Sequence, residues 1–335
     1  MVLRQQTLLR DMDPDNYTTS WCPSTTLHWN YPGVFSMRRM KVWFPEFFTE
    51  AHRKPGEGDV LVEELRKFGI DCQLNLTEDC SFIFCGTIWR MNLVKEERQR
   101  FPDIPTIHYN WDLYPFQVIS SSGYTRANPD LWDPYLVELH TCRDIWVPSQ
   151  CTVDRTREFT GRADSVVIKT SVRPWDYVKP VTGKYAVDVM RKYPDPNWDL
   201  ARCHCDVLLI PLIETRNEVP WEDFKTNLAE SRFVISAQFE ASTGGLSLME
   251  AYWHGKPALL SNSPRHGGVD YFGDRATYFQ WDNPVLFRQA LCRMYDNTPV
   301  VDIDEARTWI MQEYSEYAMA SRMAKRFWEL YDESR

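Results

Sequence analysis

Two acids and two glycines stand close together in the stretch from Phe233 to Asp274. Glu240 and Glu250 bracket the pair Gly244-Gly245, behind an apolar run that ends at Ser236. Glycines at the start of a helix let successive N–H groups face an anion, and the helix dipole favours negative charge there. A carboxylate one turn into such a helix can accept two hydrogen bonds from the vicinal hydroxyls of a ribose. The set suits a nucleoside diphosphate. The plainer reading is a tight turn followed by a helix with a solvated Glu250, which is what short glycine patterns most often mean.

The elements that must position these residues follow from periodicity. The sequence predicts a buried strand over Phe233–Ser236, a helix over Leu246–His254 stopped by Gly255, and a strand from Ala258 to Leu260 opened by Pro257. Further strands are expected at Lys41–Pro45, Ser81–Cys85, Pro105–Tyr109, Asp144–Pro148, Val166–Ile168 and Asp206–Ile210. Helices are expected over Asp59–Phe68, 89–100, from Ser149 to Phe159, 184–193, Trp221–Glu230 and Glu305–Asp332, the last broken near Tyr317–Ser321. Short β-rich runs alternating with helices imply an α/β chain with parallel sheets, and a ligand in the crevice at the strands' carboxyl ends. The expected organisation is an irregular extension over 1–36, a first domain over 37–160, a second over 161–305, and a C-terminal helix over 306–335 that packs back on the first domain.

Composition narrows the function. The 335 residues suffice for two domains, and 38 basic against 47 acidic side chains leave a net charge of −9. That balance excludes a generally basic nucleic-acid wrapper. There is no apolar stretch long enough to cross a membrane and no apolar-centred leader. Nine scattered cysteines, an odd number, then read as reduced thiols in a cytoplasmic protein. Cys203-His204-Cys205 lacks a second ligand pair for a tetrahedral metal site. Asp302-Ile303-Asp304 has the letters of a metal-holding Asp-x-Asp, but Glu305-Ala306-Arg307 makes it a helix cap, so no metal cofactor is expected. A Gly-x-Ser-x-Gly elbow and a phosphate-loop Gly-Lys-Ser/Thr are both missing from the sequence.

Gly245-Leu246-Ser247-Leu248-Met249-Glu250-Ala251, followed by Gly255-Lys256-Pro257-Ala258, resembles the signature of the family 4 retaining glycosyltransferases. The resemblance implies the GT-B fold, two Rossmann-like parallel α/β domains facing across a cleft. It also implies transfer of a sugar from a nucleotide-diphosphate sugar to a glycan or other acceptor with retention and without a metal. By the same resemblance Glu250 binds the ribose hydroxyls and the N–H groups around Gly244, Gly245 and Leu246 bind diphosphate. Glu240 faces the donor sugar, and His108, after an apolar run, contacts that sugar from across the cleft. Gly56 and Gly58 resemble the family's glycine-rich first loop. Trp111, Tyr114, Trp132 and Trp175 are candidates for stacking on sugar rings, although most aromatic residues belong to cores.

The chain departs from the pattern twice. The family's two acids stand two residues closer than Glu240 and Glu250, so that in strict register Ser242 takes the first acid's place. The strand carrying the family's diphosphate-neutralising Arg and Lys is not evident after Val167–Val172, which leaves Lys184, Arg173 or Arg265 to supply the charge. These departures keep open a second reading, a catalytically impaired relative that binds sugar or acts as a scaffold. A third, a glycosyltransferase acting on modified DNA bases, would use a local patch of Arg38, Arg39, Lys41 and the basic residues between Arg90 and Arg100.

Overall fold

Five of the apolar runs, Phe82–Cys85, Thr106–Tyr109, Asp144–Val147, Phe233–Ser236 and Ala258–Ser261, are strands in which every residue is buried. Burial on both faces is the condition of central strands in a parallel sheet, and explains why these runs do not alternate with polar residues. The computed structural model describes residues 39–44, 57–85, 91–110, 118–120, 123–125, 129–172, 183, 185–189, 197, 199–215, 220–241 and 245–335. Met1–Ser36 is a unit apart from Met37–Arg335, and it lies outside the described residues, as does the reading of it as an irregular extension.

The first half comprises β1 (Met40–Trp43), α1 (Glu57–Lys67), β2 (Ile70–Gln73), β3 (Phe82–Cys85), α2 (Met91–Arg100), β4 (Thr106–Tyr109), β5 (Val118–Ser120), β6 (Gly123–Thr125), α3 (Pro129–Thr141), β7 (Asp144–Val147), α4 (Gln150–Thr160) and β8 (Val166–Val167). Its parallel sheet has the order β2-β1-β3-β4-β7-β8. β8 pairs with β7, so Val166 and Val167 close the first sheet rather than open the second. The crossing between the halves is therefore the stretch 168–172.

The second half comprises β9 (Ala186–Asp188), α5 (Leu200–Leu208), β10 (Leu212–Glu214), α6 (Trp221–Glu230), β11 (Phe233–Ser236), β12 (Glu240–Ala241), α7 (Leu246–Trp253), β13 (Ala258–Ser261), β14 (Arg265–His266), α8 (Gly268–Phe272), β15 (Thr277–Phe279), α9 (Pro284–Asp296), α10 (Ile303–Tyr314) and α11 (Glu316–Glu333). Its parallel sheet runs β10-β9-β11-β13-β15, with helices on both faces. Two expectations are corrected here. The segment 184–193, expected as a helix, holds β9, buried throughout near the middle of the sheet. Asp206–Ile210, expected as a strand, is the end of helix α5 and the turn after it. Ala201 and Cys205, one turn apart, face the core, while Val207 and Leu209 are exposed. A short apolar run does not distinguish strand from helix by periodicity. The second half thus has its first βα unit, β9 followed by α5.

The long C-terminal element breaks at Ser315 rather than near Tyr317–Ser321. The Ser315 hydroxyl accepts the Ala318 amide at 3.2 Å and starts α11. That helix returns to the first half, where Met319, Met323, Phe327 and Leu330 join Val42, Leu65, Phe84 and Trp146 in one core. The docking is fixed by a bidentate pair. Arg326 Nε and Nη2 donate to the Asp144 carboxylate at 2.8 and 3.1 Å, and Trp146 Nε1 donates to the same group at 2.7 Å. The Asp144 side chain is only 3% exposed, so losing Arg326 leaves a buried charge short of its partner. Arg326→Ala is expected to cost about 3 kcal/mol. Arg143→Ala, in the exposed pair with Glu333, is expected to cost less than about 1 kcal/mol. Urea unfolding followed by tryptophan fluorescence measures both.

Candidate functional site

The carboxyl edges of the two sheets face each other. Beyond β13, the Tyr271 hydroxyl donates to Pro148 O at 3.0 Å, just past β7. The neighbouring Asp270 carboxylate accepts the Gln150 amide at 2.7 Å, at the first residue of α4. In doubly wound sheets this edge is where ligands bind. The order of the second sheet reverses around β9, so the crevice lies at the ends of β9 and β11.

Helix α7 starts at that edge. Gly245 is its N-cap, with φ +76 and ψ 86, a left-handed conformation that a side chain resists. A Cβ there would lie 3.0 Å from Leu248 Cδ1. The Leu248 amide turns back to Gly245 O at 2.8 Å, and among the described residues no side chain caps the helix. The amides of Leu246 and Ser247 are among those a helix start leaves without intrahelical partners. Glu250 follows Leu246 by four residues, hence on the same face, and is only 6% exposed. Glu240 stands in β12, in register with Arg265 of β14, so two of the predicted site residues are backbone neighbours. The Arg265 guanidinium lies over the Phe239 ring and 3.8 Å from Glu158 of α4, in the first half.

His108 is placed differently from the expectation. Its side chain is 1% exposed, on the sheet face that α3 covers, rather than at the surface of the cleft. It sits opposite Cys85 on the neighbouring strand, edge-on to Tyr135, with Nε2 3.9 Å from Glu138 Oε2. At that distance the contact is an ion pair rather than a hydrogen bond. Glu138 also accepts from Arg98 Nη1 at 2.5 Å. Burial would push the His108 imidazole down, but Cys85 and then Glu138 outweigh it and hold it up at about 9. Partial burial works against the Glu138 carboxylate too, yet His108 and Arg98 keep it below its ordinary value. The strand end that looked like a sugar contact is an internal Arg–Glu–His chain.

Gly58 lies in the first turn of α1, which begins at Glu57, rather than in the preceding loop. Ser242, Gly244, Lys184, Arg173, Gly56, Trp111, Tyr114 and Trp175 lie outside the described residues, and of Glu240 and Trp132 only the backbone is described. Gly183 and Tyr185 lead into β9 at the amino edge of the sheet, opposite the start of α7. With β9 in place, the basic residues that follow the first strand of the second half in sequence are Arg191 and Lys192. Reading that strand as helix concealed them.

Sequence reasoning also passed over His266, which is fully buried. Its Nδ1 accepts the Gly268 amide at 3.0 Å and its Nε2 lies 2.9 Å from Ser236 Oγ, at the end of β11. Burial pushes this imidazole down to about 4.

No family model matches the chain, and no curated protein matches it in sequence. Among solved structures it is similar to a sucrose-phosphate synthase from Thermosynechococcus elongatus, at 12% identity and a TM-score of 0.58 over 88% of this chain and 100% of that one. It is also similar to Anabaena HepE in complex with UDP and glucose, at 10% identity and TM-score 0.56, again over 88% and 100% of the two chains. A third is AviGT4, a glycosyltransferase involved in avilamycin A biosynthesis, at 12% identity and TM-score 0.53 over 88% and 98%. The chain has the fold of the GT-B glycosyltransferases, two parallel-sheet α/β domains.

Two of the buried histidines, His266 and His108, pull stability in opposite directions with pH. His266 binds its proton less readily folded than unfolded, so its contribution is complete above about 6.5 and is lost as pH falls towards 4. His108 binds its proton more readily folded, so its contribution is complete below about 6.5 and is lost as pH rises towards 9. Between pH 6.5 and 4 the wild type is expected to lose on the order of 3 kcal/mol more than His266→Asn does. Above pH 6.5, His108→Asn is expected to lose less than the wild type. Urea titrations from pH 4 to 9 measure both limbs; parallel profiles would contradict the assignment.

Proposed function

We propose that this chain is a glycosyltransferase resembling family 4, which transfers a sugar from a nucleotide-diphosphate sugar to a glycan or other acceptor with retention. One observation carries the reading: Gly245 holds a left-handed N-cap at the carboxyl edge of the second sheet, and the nearly buried Glu250 follows on the same helix. The HepE structure, in complex with UDP and glucose, supports a nucleotide-sugar donor here, and AviGT4, a glycosyltransferase, supports sugar transfer.

In this reading Glu250 accepts hydrogen bonds from the ribose diol, and the amides at the start of α7 receive the diphosphate. As the bond between the anomeric carbon and the phosphate oxygen breaks, negative charge collects on the leaving diphosphate. The helix N-terminus stabilises it there without reorganising. Arg191 and Lys192 supply positive charge, and Arg265 lies beside Glu240 at the sugar end. The acceptor oxygen then bonds to the anomeric carbon on the face the diphosphate has left, and its proton passes to an oxygen of that departing diphosphate. The reaction proceeds without a metal, the Asp302-Ile303-Asp304 letters being used otherwise: Asp302 Oδ1 accepts the amides of Asp304 and Glu305 and caps α10. His108 belongs to the buried chain beneath the cleft and orders the strand ends rather than touching sugar.

No helix among the described residues is long and apolar enough to cross a membrane, and the eight described cysteines are free thiols. Both fit the proposal of a cytoplasmic location. The acid spacing motivates a second reading, a relative that binds donor without turning it over.

Titration calorimetry with UDP, GDP and ADP, and hydrolysis of the matching nucleotide sugars, test the proposal. Glu250→Ala is expected to weaken nucleotide binding about 10- to 100-fold, by loss of hydrogen bonds to a charged acceptor. Arg191→Ala with Lys192→Ala is expected to weaken diphosphates more than the nucleoside. A wild type that binds none of these nucleotides would falsify the reading; binding without hydrolysis or transfer would select the impaired relative.

A further inference from the structure

His266 stands where three segments of the second half meet. In β14 its main chain lies in register with Ala241 of β12, as Arg265 does with Glu240. Its ring crosses to the end of β11, where Nε2 lies 2.9 Å from Ser236 Oγ. On its other side Nδ1 accepts the amide of Gly268, the first residue of α8, at 3.0 Å. Because Nδ1 accepts, the ring hydrogen is on Nε2 and is donated to Ser236. The turn that carries the ring is itself tied down. Ser263 N donates to Ser261 Oγ at 3.2 Å, Arg265 N to Ser263 Oγ at 3.1 Å, and His266 N to Ser263 O at 3.0 Å.

In the donor-site reading, the segment that leaves β11 brings β12, with Glu240, towards the crevice before α7 presents its amides. Over this stretch β12 is a strand of two residues, too short to hold a fixed path by its own ladder. The ring bond to Ser236 anchors the loop where it leaves β11, and the β12–β14 register anchors it midway. Both anchors belong to the same residue. On its far side this residue leads into α8, which touches α4 of the first half through Asp270.

We propose that His266 is a positioning residue for the donor site: its neutral ring ties the end of β11 to the turn entering α8, and so holds Glu240 and the Gly245 end of α7 at the spacing a nucleotide-diphosphate sugar requires. This rests on the donor-site reading given above. His266 does not touch the reacting atoms; it acts through β12 and α7.

Hydrogen–deuterium exchange without ligand tests the tie directly. In His266→Asn and in Ser236→Ala, which leaves the ring in place, amides of 237–246 are expected to exchange about tenfold faster, the worth of one hydrogen bond. Amides of the first half are expected to stay unchanged. His266→Gln, whose amide reaches towards Ser236, is expected to recover part of the protection. Unchanged exchange in both His266→Asn and Ser236→Ala overturns the tie, whatever the protein binds.

The purpose of the tie is read from UDP, GDP and ADP binding and from donor hydrolysis. His266→Asn is expected to raise the nucleotide Kd and the donor KM about tenfold, with kcat within about twofold, and His266→Gln to restore them in part. A lowered melting temperature with unchanged Kd and KM overturns the positioning role and leaves a structural histidine. A wild type that binds none of the three nucleotides overturns the donor-site reading and the purpose with it, while the exchange data still decide whether the tie exists.

Discussion

Asp270 sits on the N-terminus of a helix that belongs to the other half of the molecule, and the meeting of the two sheets depends on it. Its carboxylate accepts the Gln150 amide at 2.7 Å and lies 3.4 Å from the Cys151 amide, where α4 would otherwise leave donors without partners. Ser149, the residue placed to cap that helix, turns its hydroxyl to Thr152 and Cys151 instead. Next to Asp270, Tyr271 donates to Pro148 O and receives the Thr170 amide, and its ring stacks on Tyr314. The crossing stretch is threaded through the same group: Tyr109 donates to Ile168 O, and Val172 N donates to Tyr314 O. Hydrogen bonds have direction where apolar contacts do not, so this cluster orients the carboxyl edges as well as joining them.

The first half is completed by the end of the chain. α11 supplies a face of its core, and the Asp144–Arg326 pair sets the helix in one register against β7. A helix that leaves the second half at Ser315 and ends on the first gives the halves a second covalent crossing beside 168–172. Motions of one half relative to the other must bend at these two places, which are far apart in sequence and joined in space by Tyr314, Lys169 and Thr170 through Tyr271.

Within the second half, charge is handled locally. The chain carries a net −9, so no general field draws an anion to the crevice. Under the proposed donor reading, attraction there would depend on the N-terminus of α7, on Arg265, and on the basic residues that follow β9 in sequence. His266 and His108 mark the same economy in opposite senses. One is kept neutral by burial and has both nitrogens engaged, while the other is surrounded by groups that favour its charge.

Much of the fold was legible because fully buried strands and Gly-terminated helices leave strong local signals. Phe233–Ser236, Ala258–Ser261 and the helix before Gly255 were readable for that reason, and with them the neighbourhood of Gly245 and Glu250. The exchange of helix and strand between 184 and 210 was not readable: Ala186-Val187 and Val207-Leu208 are equally apolar, and only the sheet decides which is covered. By itself the sequence determined the α/β class, the alternation of elements and the glycine that starts α7, since these depend on residues near one another in the chain. The tertiary structure alone decided that β8 closes the first sheet, that His108 is buried under α3, that Asp270 meets the start of α4, and that His266 meets Ser236. Those outcomes rest on partners up to 120 residues away, as between Gln150 and Asp270, and no local pattern encodes such a pairing.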